Sequence, residues 1–534
     1  MEKIWMENWP SDVPTQLVYR KGEKPLFAYL QENARDIPDQ AAYIFYGREI
    51  SWSELDLYTD RFAGFLSTKG LKKGDKVMLF LQNCPQYLIA HYGTQKIGAI
   101  VVPANPMFKK MELEYEANDV GASVIVTSDD LYPIVESARD QTDIREVVVS
   151  NYRDLAANDP PYRIPQELEY EKQFFKQTFD MIDIIENHPQ EYPEPDIDMD
   201  EDVCLIVYTS GTTGRPKGAM LTYKNALYKT ACASEFYQLG NRDRLLAVMP
   251  ICHIAGNVLG VGMPAYTGAS AVLQTRFEPD AVLSAMDKYS CTAFYGVTPM
   301  LLGMMDHPEA ANFSLTSLKL TMCTSFGITF TREIAQRWSA YVGGGVAVEA
   351  GYGLSETHTC DVFMPKQSDK FGANGLPVFD SIIKIVDPET GKEVPVGDQG
   401  EIIIKNAGVF KGYLNRPDKT AETLRDGWVY TGDIGRFDSE GYLYFIGRTK
   451  EMIKCSGYSV FPEDVEAMLL NHPAVHQPAV IGVPDPTRGE SVKAFIVLNP
   501  QYKGKITPDE IISWARENMA AYKYPRQVVF EDER

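Results

Sequence analysis

Eleven consecutive residues have types that converge on one kind of chemistry, the stretch Tyr208-Thr209-Ser210-Gly211-Thr212-Thr213-Gly214-Arg215-Pro216-Lys217-Gly218. Glycines let backbone N–H groups approach an anion closely, and the Ser and Thr hydroxyls add further donors. Arg215 and Lys217 bring positive charge. The chemistry such a turn can do is to hold a polyphosphate. It differs from the G-x-x-x-x-G-K-[ST] phosphate loop, because Pro216 precedes the lysine and Gly218 stands where a Ser or Thr would meet the metal. An apolar run, Val203-Cys204-Leu205-Ile206-Val207, leads into the turn and predicts a buried strand.

These eleven residues resemble the phosphate-loop signature of the adenylate-forming superfamily, which includes acyl-CoA synthetases, luciferases and peptide-synthetase adenylation domains. The resemblance runs in order along most of the chain. It implies activation of a carboxylic acid with ATP and Mg²⁺ as an acyl-adenylate, with release of pyrophosphate, and then transfer to coenzyme A. On it, Thr209, Ser210, Gly211, Thr212, Thr213, Gly214 and Lys217 bind the nucleotide phosphates, with Thr209 and Lys217 also catalytic. Gly351-Tyr352-Gly353-Leu354-Ser355-Glu356 resembles the second nucleotide motif. Tyr352 would stack on adenine, Ser355 would help hold a phosphate oxygen, and Glu356 would hold Mg²⁺, a hard cation that takes oxygen ligands. Trp428-Val429-Tyr430-Thr431-Gly432-Asp433 resembles the ribose motif, with Asp433 accepting from the sugar hydroxyls and Arg448 adding a contact. Met249-Pro250-Ile251-Cys252-His253 resembles the segment whose side chain gates the carboxylate pocket, which puts His253 beside the substrate. The small, apolar stretch after it, with Asn257 and Gly260, could line an acyl channel or simply pack closely. Lys450 matches a hinge about which a small domain swings between the two half-reactions. Lys454 and Gly457 resemble the loop which that swing brings to the active site, the glycine leaving room for the pantetheine arm.

Two departures stand out. The family pattern places a Gly-Lys segment after the residues that end here at Arg534, and its lysine is absent. Lys523 matches the segment before it and is no substitute. A truncated chain or a weakened adenylation step would follow. Near the acyl pocket, Met322-Cys323-Thr324-Ser325-Phe326-Gly327-Ile328 replaces a Gly-Gly-Ala-like turn, and Phe326 or a neighbour could shorten the pocket.

The elements that must position these residues are legible in outline. With 534 residues the chain exceeds one core, and two domains are expected, 1–448 and 449–534. Between 20 and 150 helical and strand patterns alternate, as in a parallel sheet flanked by helices. Leu55, Phe62 and Phe65 share one helix face with Ser51 near its start; Lys76–Leu81 reads as a strand, Gln86–Ala90 begins a helix, and a second strand lies within Ile97–Pro103. In a proline-broken, acidic stretch, Phe175, Phe179, Ile182 and Ile185 fall at helical spacing. From about residue 372 short strands and Gly turns predict a small β-barrel-like subdomain, and a compact, mobile α+β domain closes the chain. The fold class is therefore α/β: a large domain of αβα sheets, a small β-subdomain and a C-terminal α+β domain.

The formal net charge of -21 argues against nucleic acid or anionic membrane as partners. No run reaches the ~18 apolar residues of a membrane helix, so no integral membrane segment is expected. The eight cysteines are scattered without a C-x-x-C pair, as in a reduced cytoplasmic protein. The seven histidines show no metal-ligand spacing. The sequence thus reads as an acyl-CoA synthetase acting on a medium- or long-chain fatty acid, with a homodimer as one oligomeric option. The alternatives are an aryl or arylpropenoic acid–CoA ligase, an enzyme loading a carrier protein, and a non-catalytic nucleotide- or acyl-binding protein.

Overall fold

The computed structural model describes residues 4–209, 215–325, 328–448, 453–456, 458–460 and 462–531. Two sheets organise its larger part. One has the order Val346–Glu349, Leu320–Thr324, Ala293–Val297, Arg244–Ala247, Ser270–Leu273, Ala41–Phe45, Arg48–Ser51, parallel throughout except for the terminal hairpin. The other runs Gly412–Tyr413, Lys217–Thr222, Val203–Thr209, Ile100–Pro103, Lys76–Phe80, Val124–Ser128, Glu146–Ser150, Phe179–Asp180. Its middle is parallel, and its first three strands are antiparallel.

Strand alternation builds a layered stack. Val77 and Leu79 face a shared central core, while Met78 and Phe80 face an outer cluster. In the other sheet Tyr43, Phe45 and Leu245 turn to the same central core, and Ile44 and Leu246 turn away from it. This is the period of two that a sheet covered on both faces requires. The helix Pro85–Lys96 lies in the central layer and is buried on every side. It therefore has no polar stripe, as expected of a core helix. The helix Trp52–Thr68 starts where Ser51 Oγ accepts the Glu54 N–H at 3.1 Å, and it buries Leu55, Phe62 and Phe65.

One expected element is shorter than its periodicity suggests. The helix in the proline-rich stretch covers only Met181–Asn187. Asp180 caps it by accepting the Ile182 N–H at 3.0 Å, which ends the helix on that side. Phe179 instead joins the edge of the second sheet, and Phe175 stacks on Tyr132 with ring centroids 4.1 Å apart.

A third, antiparallel sheet follows: Ile382–Val386, Gly400–Lys405, Trp428–Phe437 and Leu424–Arg425, with Leu443–Arg448 on the long strand. Ile383, Ile385, Ile402, Ile404, Phe437 and Leu443 form its core. Residues from Ile453 onward gather a separate core around the hairpin Val475–Asp485/Gly489–Leu498 and the helix Pro508–Asn518.

Candidate active site

The polar turn joins an antiparallel pair, not a strand and a helix. Thr209 and Lys217 are directly opposed in the register of Val203–Thr209 against Lys217–Thr222. Backbone pairing alone thus sets these two side by side. Ser210, Gly211, Thr212, Thr213 and Gly214 lie outside the described residues, as do Phe326, Lys450 and Gly457. The strand exits are braced from the neighbouring helix Lys110–Val120. Tyr208 Oη donates to Asp119 at 2.8 Å, Tyr115 Oη donates to the Pro216 carbonyl at 2.7 Å, and the Arg215 guanidinium lies 5.2 Å from the Tyr115 ring centre.

Glu356 faces this pair. Its Oε1 accepts from Thr209 Oγ1 at 3.3 Å and from Tyr413 Oη at 2.6 Å. Lys217 Nζ sits 4.3 Å from the Tyr413 ring centre. Desolvation lowers the Lys217 pKa, and the Glu356 charge opposes that fall. Hydroxyl, ammonium and carboxylate are therefore gathered around one tyrosine that the sequence did not single out. Tyr413 lies in a two-residue strand, Gly412–Tyr413, paired with Lys217–Thr222, so nothing in its local spacing marks it. Glu356, held by two hydroxyls through Oε1, is a carboxylate of the kind that would hold Mg²⁺, a hard cation that takes oxygen ligands. Among the described residues no group of three or more His, Cys, Asp or Glu could hold a resident metal ion.

The segment carrying Glu356 is bent sharply. Gly351 has φ +107°, and a Cβ there would lie 2.0 Å from the Val362 carbonyl oxygen. His358, Thr359 and Cys360 then follow one another in the left-handed region at φ 57°, 55° and 54°. Three such non-glycine residues in a row are costly and need support. Thr359 N–H donates to the Leu354 carbonyl at 2.7 Å and Asp361 N–H to the Tyr352 carbonyl at 2.8 Å. Beneath them, the fully buried Lys229 pairs with the fully buried Asp361 and donates to the Cys360 carbonyl at 3.2 Å. Asn406 Nδ2 also donates to Asp361, at 2.8 Å.

Tyr352 and Asp433 meet as well: Tyr352 Oη donates to Asp433 Oδ2 at 2.7 Å. One face of Tyr352 stacks against Phe445, at 5.8 Å and 24°. Burial, then the Asp433 charge, pushes the Tyr352 phenol well above its usual pKa, so it stays a donor. Asp433 is buried, and the ladder places Arg448 opposite it. Ser355 opens the short 3₁₀ turn that carries Glu356, and Gly353 is pressed against Cys360, a Cβ there falling 2.4 Å from its amide nitrogen.

His253 caps a short helix through Nδ1, which accepts the Ala255 N–H at 3.4 Å. Its side chain reaches solvent, and desolvation by the surrounding protein lowers its pKa. Nearby is a small apolar space, open on one side, lined by Leu246, Val248, Gly256, Leu259, Gly260, Phe294, Tyr295 and others. Gly260 lines it, as expected. Asn257 does not; its amide points back toward the Ile251 carbonyl at 3.5 Å.

The second core docks on the helix Lys110–Val120. Tyr458 stacks on Tyr522 at 4.2 Å, Ala520 N–H donates to Glu112 Oε1 at 3.0 Å, and Lys523 Nζ lies 3.7 Å from the same carboxylate. Lys523 is thus an anchor between the two cores. Lys454 Nζ lies 5.6 Å from the Phe445 ring centre, the ring that stacks on Tyr352.

Comparison with known proteins agrees with this geometry. Residues 30–414 match the family model described as AMP-binding enzyme, and residues 464–533 match its C-terminal domain. A long-chain-fatty-acid–CoA ligase of Bacillus subtilis is 36% identical, over all of this chain and 95% of its own length. A feruloyl-CoA synthase of Amycolatopsis is 32% identical, over 93% of each chain. Among solved structures, a long-chain-fatty-acid-CoA ligase from Archaeoglobus fulgidus superposes with a TM-score of 0.80 at 25% identity, over 98% of this chain and 99% of that one.

Proposed function

We propose that this chain, which belongs to the AMP-binding enzyme family, is an acyl-CoA synthetase that joins a medium- or long-chain fatty acid to coenzyme A through an acyl-adenylate. The observation that carries the choice of acid is the apolar lining of the space beside His253. Each methylene moved from water into such a space gains about 0.8 kcal/mol. An arylpropenoic acid is the second reading, supported by the feruloyl-CoA synthase relative and by the Phe294 and Tyr295 rings in the wall.

The reaction requires a carboxylate to attack the α-phosphate of ATP, which brings two anions together. Lys217 and Thr209 supply charge and a hydrogen bond on one side of that encounter. Tyr352 and Asp433 hold the adenosine end, so the attack is set in line by binding more than by side-chain chemistry. Mg²⁺, when bound, neutralises phosphate charge, and Glu356 is the residue that would hold it. The thiolate of coenzyme A then attacks the acyl-adenylate carbonyl and AMP leaves, with Lys450, Lys454 and Gly457 proposed on the hinge and loop that admit it. We set the domain boundary near residue 449 and the enzyme in the cytoplasm, a placement supported by eight unpaired cysteines. A homodimer is the oligomer for light scattering to test.

The experiment is pyrophosphate release and thioester formation over a panel of saturated and arylpropenoic acids, with and without coenzyme A. The highest kcat/KM is expected for a medium- or long-chain saturated acid, with both products dependent on coenzyme A. Greater turnover of arylpropenoic acids would replace the first reading by the second. Pyrophosphate release with no thioester formed would remove coenzyme A as the acceptor.

A further inference from the structure

One wall of the apolar space is wound in an uncommon way. Asn257–Gly262 is a π-helix between the helical segments Ile254–Gly256 and Met263–Thr267. The Met263 N–H reaches back five residues to the Val258 carbonyl. Such turns are rare, recur at functional sites and have local causes. Here the cause is Pro264. In an α-helix the Gly260 carbonyl would accept the N–H of residue 264, but proline has none, and its ring would press on that carbonyl. Wider winding relieves the clash and leaves the Gly260 carbonyl without its α-helical donor.

A buried carbonyl cannot be left bare at low cost. Two tyrosines from distant parts of the chain meet this turn. Tyr43 Oη, from the strand Ala41–Phe45, donates to the Gly260 carbonyl at 3.0 Å. Tyr92 Oη, from the central helix Pro85–Lys96, donates to the Val261 carbonyl at 2.8 Å. Both side chains are buried, and neither lines the apolar space. From a third side, helix Tyr223–Phe236 closes on Gly262, where a Cβ would fall 2.5 Å from Thr230 Oγ1. On the side of the space, a Cβ at Gly260 would meet Ile251 at 3.2 Å and Ala247 at 3.6 Å. The π-turn is therefore gripped from behind by two hydroxyls while its glycine face and Leu259 border the space.

We propose that Tyr43 and Tyr92 are positioning residues for acyl-chain selection. Their hydroxyls fix the register of the Asn257–Gly262 turn, and that register sets how deep a chain the space accepts. The inference rests on the reading of this space as the acyl site. Without the Tyr43 hydroxyl the Gly260 carbonyl, already short of its α-helical donor, turns to seek another, and without the Tyr92 hydroxyl the Val261 carbonyl loses an anchor; the wall shifts, and the far end of the space closes first. Long acids then suffer more than short ones.

The test is kcat/KM for thioester formation with octanoate and with palmitate, on the full chain, for Tyr43→Phe, Tyr92→Phe and Gly260→Val. Gly260→Val probes the wall directly and should lower the palmitate-to-octanoate ratio about tenfold, since it places bulk in the space. Each tyrosine variant should lower that ratio about threefold or more, with KM for ATP unchanged. Should Tyr43→Phe fail to fold, Tyr92→Phe meets the same turn and carries the test alone. A normal shift for Gly260→Val combined with tyrosine variants that keep the ratio, or that reduce both acids by one factor, overturns the inference and spares the acyl-site reading. An unchanged ratio in Gly260→Val overturns both.

Discussion

The proposed nucleotide cleft and the proposed acyl wall are built on opposite plans. In the cleft, polar groups from short motifs meet by backbone register and single hydrogen bonds: Thr209 against Lys217, Glu356 against Thr209, Tyr352 against Asp433. In the wall, small apolar residues show nothing of their role, and their conformation is fixed by hydroxyls from Tyr43 and Tyr92, more than 150 residues earlier in the chain. A cleft of the first kind is expected to lose rate and keep its fold when a charge is deleted. A wall of the second kind changes which acid is chosen while the chemistry continues. Keeping the first intact permits variation in the second, which suits a scaffold whose relatives include both fatty-acid and feruloyl ligases.

The largest expected effect tests the first half of that contrast. Lys217→Ala and Glu356→Ala should each lower adenylation by roughly 10²–10³-fold, the scale of losing one preorganised charge or donor in a water-poor site. Each should move the melting temperature by less than about 2 °C, because neither side chain is buried deeply. Pyrophosphate release and calorimetry check both. A variant that loses rate and stability together would mean that the cleft is also structural.

Lys229 breaks the contrast from within, since it supports the cleft from the core. Lys229→Ala leaves Asp361 fully buried without its cation under the left-handed run His358–Cys360, so the carboxyl must bear an unpaired charge or take up a proton. It should cost about 3–5 kcal/mol in urea titration and slow adenylation through the displaced Glu356. The double variant Lys229→Met with Asp361→Leu should recover most of the stability. Failure to recover would mean that the Asn406 and Thr357 bonds to Asp361, not the ion pair, hold the turn.

These outcomes also explain what the sequence made legible. Local motifs carry their own register, so the expected neighbours Thr209, Lys217 and Glu356, and Tyr352 and Asp433, do meet, and the strands Lys76–Phe80 and Gly400–Lys405 follow from their apolar runs. Tyr413 could not be foreseen, because its role comes from pairing with a strand nearly 200 residues earlier. Periodicity alone carried the expected helix upstream to Phe175, and the capping by Asp180 outweighed it. Asn257 reads, with Gly260, as part of a small, apolar stretch that could line an acyl channel or pack closely. It turns instead to the Ile251 carbonyl, in a π-turn that Pro264 explains once the winding is known.

Tyr413 sharpens the cleft side of the comparison. Tyr413→Phe keeps the ring beside Lys217 and removes only the hydroxyl that meets Glu356. A hydrogen bond to a charged group is worth about 1.5–3 kcal/mol. Adenylation should therefore fall by roughly 10–10²-fold, less than in Glu356→Ala, with KM for the acid unchanged. A loss equal to that of Glu356→Ala would show that the hydroxyl itself takes part in the transition state.

The smallest effect lies at the turn that departs from the family pattern. Glu349 ends the strand Val346–Glu349, and its carboxylate accepts from Ser325 N–H at 3.1 Å and Ser325 Oγ at 2.6 Å, in that turn. Desolvation pushes its pKa from 4.5 up to about 7, against the pull of those two bonds. Between those pH values the folded protein holds a proton that the unfolded chain has lost. The stabilisation is thus fully present below pH 4.5 and is lost as pH rises through about 7. Glu349→Gln keeps the shape and cannot ionise. It should match the parent in urea titration at a pH of about 5, and exceed it at about 8 by about 1–2 kcal/mol, a figure kept low because the side chain is partly open to solvent. Equal stability at both pH values would mean that the carboxylate is ionised throughout. The Ser325 bonds would then hold the charge, and the turn would behave as part of the polar cleft, not of the apolar wall.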